Sequence, residues 1–330
     1  MMNKPKVSVI MALYNAEKYL KESIVSVLEQ SMKDFELIMV DDCSTDNSLK
    51  TAKEMATKDK RIKIIRNKEN QGALCRNNGI KIAKGRYIAI FDSDDICMKD
   101  RLKIQSEYLD KHQDIFLVAG SFQYVDESGK YLGREIIDYD YRKVASRLVA
   151  HNMIHNPTVM FRNDGKTYYR EKMKISEDRD LWFILLSRGM KMVVLPNFMI
   201  KYRIHTSSVT LDKFKKQKLF SDKAIEWYYE RKKFGRDSYD SFNPNAILSL
   251  KDTKIDTGEF LKKQKIMFLS FEDKSRFRKA LYDYWRNNGL KKWKRLPLVY
   301  VSSFIPKTII DNHKKFKKWF KYYLMKQRMQ

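Results

Sequence analysis

The residues best suited to chemistry are carboxylates that follow short apolar runs. Asp92-Ser93-Asp94-Asp95 follows RYIAIF, Asp41-Asp42 follows FELIMV, and the polar pair Tyr14-Asn15 follows KVSVIMAL. Carboxylate oxygens in an Asp-x-Asp pattern suit a divalent cation, Mg²⁺ or Mn²⁺, whose shell is completed by phosphate. An isolated Asp-x-Asp is more often a turn, which Asp and Ser favour. Here it follows a predicted strand and has two partner sites of the same kind. Acids gathered so densely in one cleft need a cation or hydrogen-bond donors to offset their repulsion. A further acidic pair, Glu177-Asp178, opens an apolar helical pattern that begins at Leu181-Trp182, a place where the helix dipole favours acids.

The elements that must position these groups alternate. Lys6–Ala12, Phe35–Val40, Arg61–Arg66 and Arg86–Phe91 are apolar, β-branched runs of strand length. Between them, residues 17–30 place Tyr19, Leu20, Ile24, Val27 and Leu28 at helical spacing. Ser44-Thr45-Asp46 offers cap chemistry for a helix over 46–57, and another helix runs from Gly72 to Ala83. This alternation predicts an α/β fold: a mostly parallel sheet with helices on both faces. Ligands of such sheets bind beyond the carboxyl ends of the strands, so the polar strand ends gather on one rim.

Composition narrows the class. The 330 residues are 43% hydrophobic and 13% aromatic, enough for a real core, and the net charge is +26. Three cysteines without a CxxC pair argue against a disulfide framework or a Cys-rich zinc site. The first apolar run reads as a buried strand, not a leader, and no 18-residue apolar run is long enough to span a membrane, so a cytoplasmic location is expected. Residues 213–330 hold 31 Lys+Arg against 12 Asp+Glu, whereas residues 1–212 hold 36 against 29. The basic excess therefore sits in the second part, which should meet something anionic.

Four segments, in order, carry a resemblance: VSVIMALYNAEKYLKESIVSVLEQS, FELIMVDDCSTDNS, NQGALCRNNGIKIAKGRYIAIFDSDD and SEDRDLWFILLSRG. Together they look like glycosyltransferase family 2, the inverting nucleotide-sugar transferases of the GT-A fold, over about residues 5–205. The resemblance implies a Rossmann-like catalytic domain over 1–212 that binds a nucleotide-diphospho-sugar with a divalent metal and passes the sugar to an acceptor hydroxyl. Ala12, Leu13, Tyr14 and Asn15 match the loop that cups the nucleobase. Asp42, with Asp41 beside it, matches the acid that hydrogen-bonds the base, commonly uracil. Asn70, Gly72 and Arg76 match the stretch beside ribose and pyrophosphate. Asp92 and Ser93 match positions near ribose and metal, and Asp94 the direct metal ligand. Asp178 matches the catalytic base, and Glu177 helps to place the base or the acceptor. The segment YRIHTSS resembles the one closing many family domains, where His205 would reach the metal or diphosphate and Arg203 the phosphate.

The residue types suit that reaction. A carboxylate can take the acceptor proton as the new bond forms, while a metal at Asp94, helped by Arg76, offsets charge on the departing diphosphate. One base without a covalent intermediate means inversion. Three positions depart from the family pattern. Ala12 stands where Pro is usual, Cys43 stands where Gly is frequent and would be strained at positive φ, and 164–174 is basic where acceptor loops vary.

The region 213–330 reads as helical, basic and aromatic. Over 291–330, 12 Lys+Arg accompany one acid and eight aromatics, a pattern suited to an anionic membrane surface. The helices over 213–234 and 275–288 read instead as packing stripes. The expected picture is a peripheral enzyme on the inner face of the cell membrane, acting on a glycan or polyprenyl-linked saccharide in surface polysaccharide or glycolipid assembly. Charge alone would also fit nucleic acid. However, no helix-turn-helix, RNP or zinc-finger pattern is present, and the acidic cleft would repel phosphate in the absence of metal. A sugar nucleotidyltransferase would need a Gly-rich loop after the first strand, and LYNAEKYL is not one.

Overall fold

The computed structural model describes residues 4–150, 152–205, 214–251 and 274–288. The chain divides into two compact units, residues 1–255 and 256–330. In the first unit a nine-stranded sheet is built from β1 (Val7–Leu13), β2 (Phe35–Asp41), β3 (Ile62–Arg66), β4 (Tyr87–Asp92), β5 (Ile96–Cys97), β6 (Ile115–Val125), β7 (Tyr131–Glu135), β8 (Met160–Arg162) and β9 (Lys191–Arg203). Its order is β3-β2-β1-β4-β8-β6-β9-β5, with β7 pairing on β6. Strands β1, β2, β3, β4, β6 and β9 run one way, while β5, β7 and β8 run against them. The four strands read from the sequence are the four parallel neighbours, each within a residue of its expected span.

The connecting helices are α1 (Glu17–Leu28), α2 (Ser48–Lys58), α3 (Arg76–Ile82), α4 (Arg101–Lys111), α5 (Tyr141–Arg147) and α6 (Glu177–Ser187). Every residue of β2, and all but one of β1 and β4, is buried, so both faces of this half of the sheet are covered. Each fully buried Ile, Leu or Val there contributes about 1.5–3 kcal/mol. Close approach is built in at Gly79 of α3, where a Cβ would stand 2.8 Å from the Ile10 side chain. The helix expected from Gly72 to Ala83 begins instead as a 3₁₀ turn, Gly72–Cys75, before α3.

Helix α7 (Phe214–Phe234) and the short α8 (Asn245–Leu248) belong to this first unit. Phe220, Ala224 and Trp227 of α7 are buried in the core, and Tyr228 stacks on Phe183 of α6 at 5.0 Å. The second unit is described only through α9 (Lys274–Asn288), whose Phe277, Leu281 and Tyr284 form a buried stripe. The basic, aromatic segment 291–330 lies outside the described residues. Among the described residues no helix is long and apolar enough to cross a membrane.

Candidate active site

Register brings the polar strand ends together. On the two sides of β1, Leu13 pairs with Asp41 and Ala12 with Asp92. Leu13 is itself buried in the core, so what it offers the rim is backbone: its carbonyl accepts Asp42 N–H at 2.8 Å. Tyr14 is 54% exposed, with its ring available to a planar partner. Asn15 turns the chain at φ +48°, and its Oδ1 accepts Thr45 N–H at 2.9 Å. The expected cap at Ser44–Asp46 is shared between two helices. Asp46 accepts Ser48 N–H of α2 at 2.9 Å and Glu17 N–H of α1 at 3.0 Å, while Ser48 Oγ accepts Ala16 N–H at 2.7 Å. The loops after β1 and β2 are thus stitched into one wall.

Asp41 and Asp42 are both buried. The Asp42 carboxylate, expected to face a nucleobase, is occupied by the protein. It accepts from Asn67 Nδ2 at 2.7 Å, Gln71 N–H at 2.9 Å and Gly72 N–H at 2.7 Å. Asn70 Nδ2 adds a bond to the Asp42 carbonyl at 3.0 Å. Asp42 therefore moulds the 67–72 loop, and Gly72 supplies the φ of +62° that the turn requires. Among the described residues Asp41 Oδ2 is buried without a hydrogen bond, 3.5 Å from the exposed Arg66 guanidinium. Cys43 adopts φ +66°, so the strain anticipated for a non-glycine residue is present.

The Asp92–Asp95 turn faces the end of β9. His205 Nε2 lies 2.8 Å from Asp94 Oδ2, which brings together two of the expected metal-binding groups. Asp92 and Ser93 are partly exposed beside them. Among the described residues, no group of three His, Cys, Asp or Glu side chains converges as a metal site. Two protein donors fit a cation that keeps most of its shell for substrate phosphate. Arg203, expected at phosphate, is placed otherwise. It is 2% exposed, and its guanidinium donates to Glu22 at 2.5 Å and to the carbonyls of Asp94, Asp126 and Glu127. Its backbone N–H holds Asp95 Oδ1 at 2.9 Å. Arg203 is the brace of the acidic turn, and every one of those bonds would have to break for it to turn outward.

Arg76 joins the two sides of the cleft. Its Nη2 pairs with Asp92 at 2.6 Å and its Nη1 with Glu177 at 3.3 Å, across 101 residues of sequence. The guanidinium is buried, and its Nε–H has no partner among the described residues. Glu177 and Asp178 open α6 behind Ser176, which adopts φ +58°; strain of this kind concentrates at functional sites. Burial, reinforced by the neighbouring Asp178 and opposed by Arg76, pushes the Glu177 carboxyl up to about 7. Asp178 is raised as well, chiefly by burial, with Arg179 N–H and Asn152 opposing. Asn152 Nδ2 donates to Asp178 Oδ2 at 3.3 Å.

The sequence alone did not reveal what holds α6. Arg170, from the basic stretch 164–174, makes a paired contact with the fully buried Asp180 at 2.7 and 2.5 Å and reaches Asp237 at 2.9 Å. Its guanidinium lies 4.6 Å from the Trp227 ring and 3.9 Å from that of Tyr239. Arg231 also pairs with Asp237, and Ser176 Oγ bonds the Gln217 carbonyl at 3.1 Å. Arg170 is 10 residues from Asp180 and 67 from Asp237, and no local pattern pairs them.

Known proteins bear on this site. Residues 8–171 match the family described as Glycosyl transferase family 2. An uncharacterised glycosyltransferase of Methanocaldococcus jannaschii is 37% identical over 238 residues, covering 70% of this chain and 82% of the relative. The putative teichuronic acid biosynthesis glycosyltransferase TuaG of Bacillus subtilis is 32% identical, over 65% of this chain and 85% of its own. In fold, the chain is similar to S. aureus TarS residues 1–349, solved in complex with UDP-GlcNAc, with a TM-score of 0.53 at 21% identity, covering 90% and 92% of the two chains. With its strand-end carboxylates on one rim and an acidic pair opening α6 beside them, the chain belongs to glycosyltransferase family 2 and is a transferase of the GT-A fold.

Proposed function

We propose that the enzyme moves a sugar, with inversion, from a UDP-sugar to a hydroxyl of a saccharide acceptor in surface polysaccharide or glycolipid assembly. The observation that carries this reading is the Arg76 bridge, which ties the Asp92 strand end to the acidic pair at the start of α6. A nucleotide lying along the ends of β1, β2 and β4 would present its diphosphate to Asp92–Asp94, with the anomeric carbon toward Asp178. In the transfer, Asp178 accepts the acceptor O–H proton, the oxygen bonds to the anomeric carbon, and the carbon–phosphate oxygen bond breaks, its electrons leaving with the diphosphate. The Arg76 Nε–H offers a donor to that leaving group, and Glu177, tied to Arg76, holds the helix end in place. A divalent cation held by Asp94 with His205, and with Asp92 alongside, would neutralise charge developing on the diphosphate. Support for the donor comes from TarS, solved with UDP and with UDP-GlcNAc, and support for the acceptor class from TuaG.

The test is turnover of a panel of UDP-, GDP-, CDP- and dTDP-sugars, with and without Mn²⁺, followed by proton NMR of the product anomer. A UDP-sugar consumed only with metal, giving a β-linked product from an α-linked donor, is expected. Retention of configuration would contradict the single-base assignment. We also assign 291–330 to an anionic membrane surface on its charge and aromatic content. Truncation after residue 290 should then abolish salt-sensitive co-sedimentation with anionic vesicles, and unchanged sedimentation would refute it.

A further inference from the structure

The segment that follows α5 is strapped to the start of α6 on either side of one exposed side chain. Arg179, next to Asp178 in the chain, donates from Nη2 to the Leu148 carbonyl at 3.1 Å and the Val149 carbonyl at 2.9 Å. Its Nη1 reaches Ser221 Oγ of α7. About one turn further along α6, Trp182 Nε1 donates to the Ile154 carbonyl at 3.2 Å. The side chains of Leu148, Met153 and Ile154 are buried in the core. The chain is thus fixed at 148–149 and at 153–154, and Asn152 lies between; His151 lies outside the described residues. The Asn152 side chain is exposed and Asp178 is half-buried. The bond from Asn152 Nδ2 to Asp178 Oδ2, at 3.3 Å, spans 26 residues of sequence. Water would serve an exposed amide nearly as well, so this bond adds little to stability. Its consequence lies in where it holds the carboxylate.

We propose that Asn152 is a positioning residue for the base: its amide holds Oδ2 of Asp178, so that Oδ1 is the oxygen presented to the acceptor hydroxyl. In the transfer the acceptor proton goes to Oδ1, and the Asn152 amide keeps both of its protons. Fixing the carboxylate before the reaction removes a rotation that would otherwise be lost during it. A donor on the charged form also favours that form, and Asn152 acts in that direction on Asp178, against burial. The other ionisable groups that act on this carboxyl are Glu177 and Arg179 beside it on α6, Arg76 of α3, His155 and Tyr169. The inference rests on the reading of Asp178 as base and adds the residue that orients it.

The test uses the full chain labelled with carbon-13 at its aspartate carboxyl carbons. The Asp178 signal is the one lost in Asp178→Asn, and a cooperative melt near the parent Tm verifies the fold of each variant. In Asn152→Ala the midpoint of the Asp178 titration should rise by about one pH unit. In Asn152→Asp, which sets a like charge beside the base, it should rise further. The acid limb of turnover, followed with the UDP-sugar that the donor panel identifies, should move upward with the midpoint. The proposal is overturned if the Asp178 midpoint in Asn152→Ala equals that of the parent. It is also overturned if turnover falls equally at every pH with an unmoved acid limb, since Asn152 would then serve the loop alone. Near-normal turnover in Asp178→Asn would instead remove the base reading, and this inference with it.

Discussion

The two halves of the sheet are built on different terms. In β3-β2-β1-β4 each strand lies beside one of its near neighbours in sequence, and the site residues sit at strand ends a few residues from the elements that hold them. In β8-β6-β9-β5 the order is scrambled and the directions are mixed, and α6, which opens on Glu177-Asp178, is held at Asp180 by Arg170, itself paired with Asp237 from the segment that follows the last strand. The first half supplies the strand-end rim at which we propose the nucleotide binds. The second half carries α6, against which α7 packs through Tyr228 on Phe183.

If Arg76 is the joint between the halves, Arg76→Met should lower kcat by about 10²–10³-fold, the usual effect of removing a charged group aimed at a developing anion. Arg76→Lys, which keeps the charge but loses the fork, should recover only part of it. A variant with wild-type kcat would show that the two halves act without this joint.

Arg170→Met tests whether the second half needs α7. It leaves Asp180 as a buried charge without its partner and should cost about 3–5 kcal/mol, seen as a fall of roughly 10 °C in Tm. An unchanged Tm would mean that the segment 214–251 is an appendage.

The strands and rim acids were legible because each rests on a local pattern: β-branched runs ending in Asp41 or Asp92, and a helix period after Tyr14-Asn15. Asp94 with His205 was legible through the resemblance alone. The buried placement of Arg203 was not legible because burial cannot be read from residue type. By residue type alone an arginine there suits phosphate, whereas Glu22 and three carbonyls occupy it. Arg170, Asp180 and Asp237 were not legible because their contact depends on how α6 and α7 cross, which no periodicity encodes.

The acidic pair gives a pH signature confined to the second half. In the unfolded chain Glu177 and Asp178 release protons near the ordinary carboxylate value of about 4. In the folded chain both are raised, Glu177 to about 7. The folded state thus binds more protons between these values, and stability should fall as pH rises through that window. Asp178→Asn removes one titrating group and its repulsion, so its Tm should fall less steeply and exceed that of the parent at pH 8. A parallel pair of Tm–pH curves would contradict the coupling. With Asp178 as the base, activity should fall on the acid side with a midpoint above the ordinary carboxylate value.

The smallest expected effect lies in the first half. Cys43→Gly relieves a residue at φ +66° and should stabilise the chain by about 1 kcal/mol, a rise of roughly 3 °C in Tm. A fall in Tm would show that the Cys43 Sγ contact to the Asn67 carbonyl, at 3.3 Å, outweighs the strain.

On the proposed reading, the rim at β1, β2 and β4 holds the donor while Asp178 acts on the acceptor. The most direct measurement is UDP titration calorimetry of the parent and Asp178→Asn, paired with turnover of the same samples. Equal UDP affinity and a loss of about 10³-fold or more in kcat are expected. Near-normal turnover in Asp178→Asn, or loss of UDP binding along with activity, would contradict it.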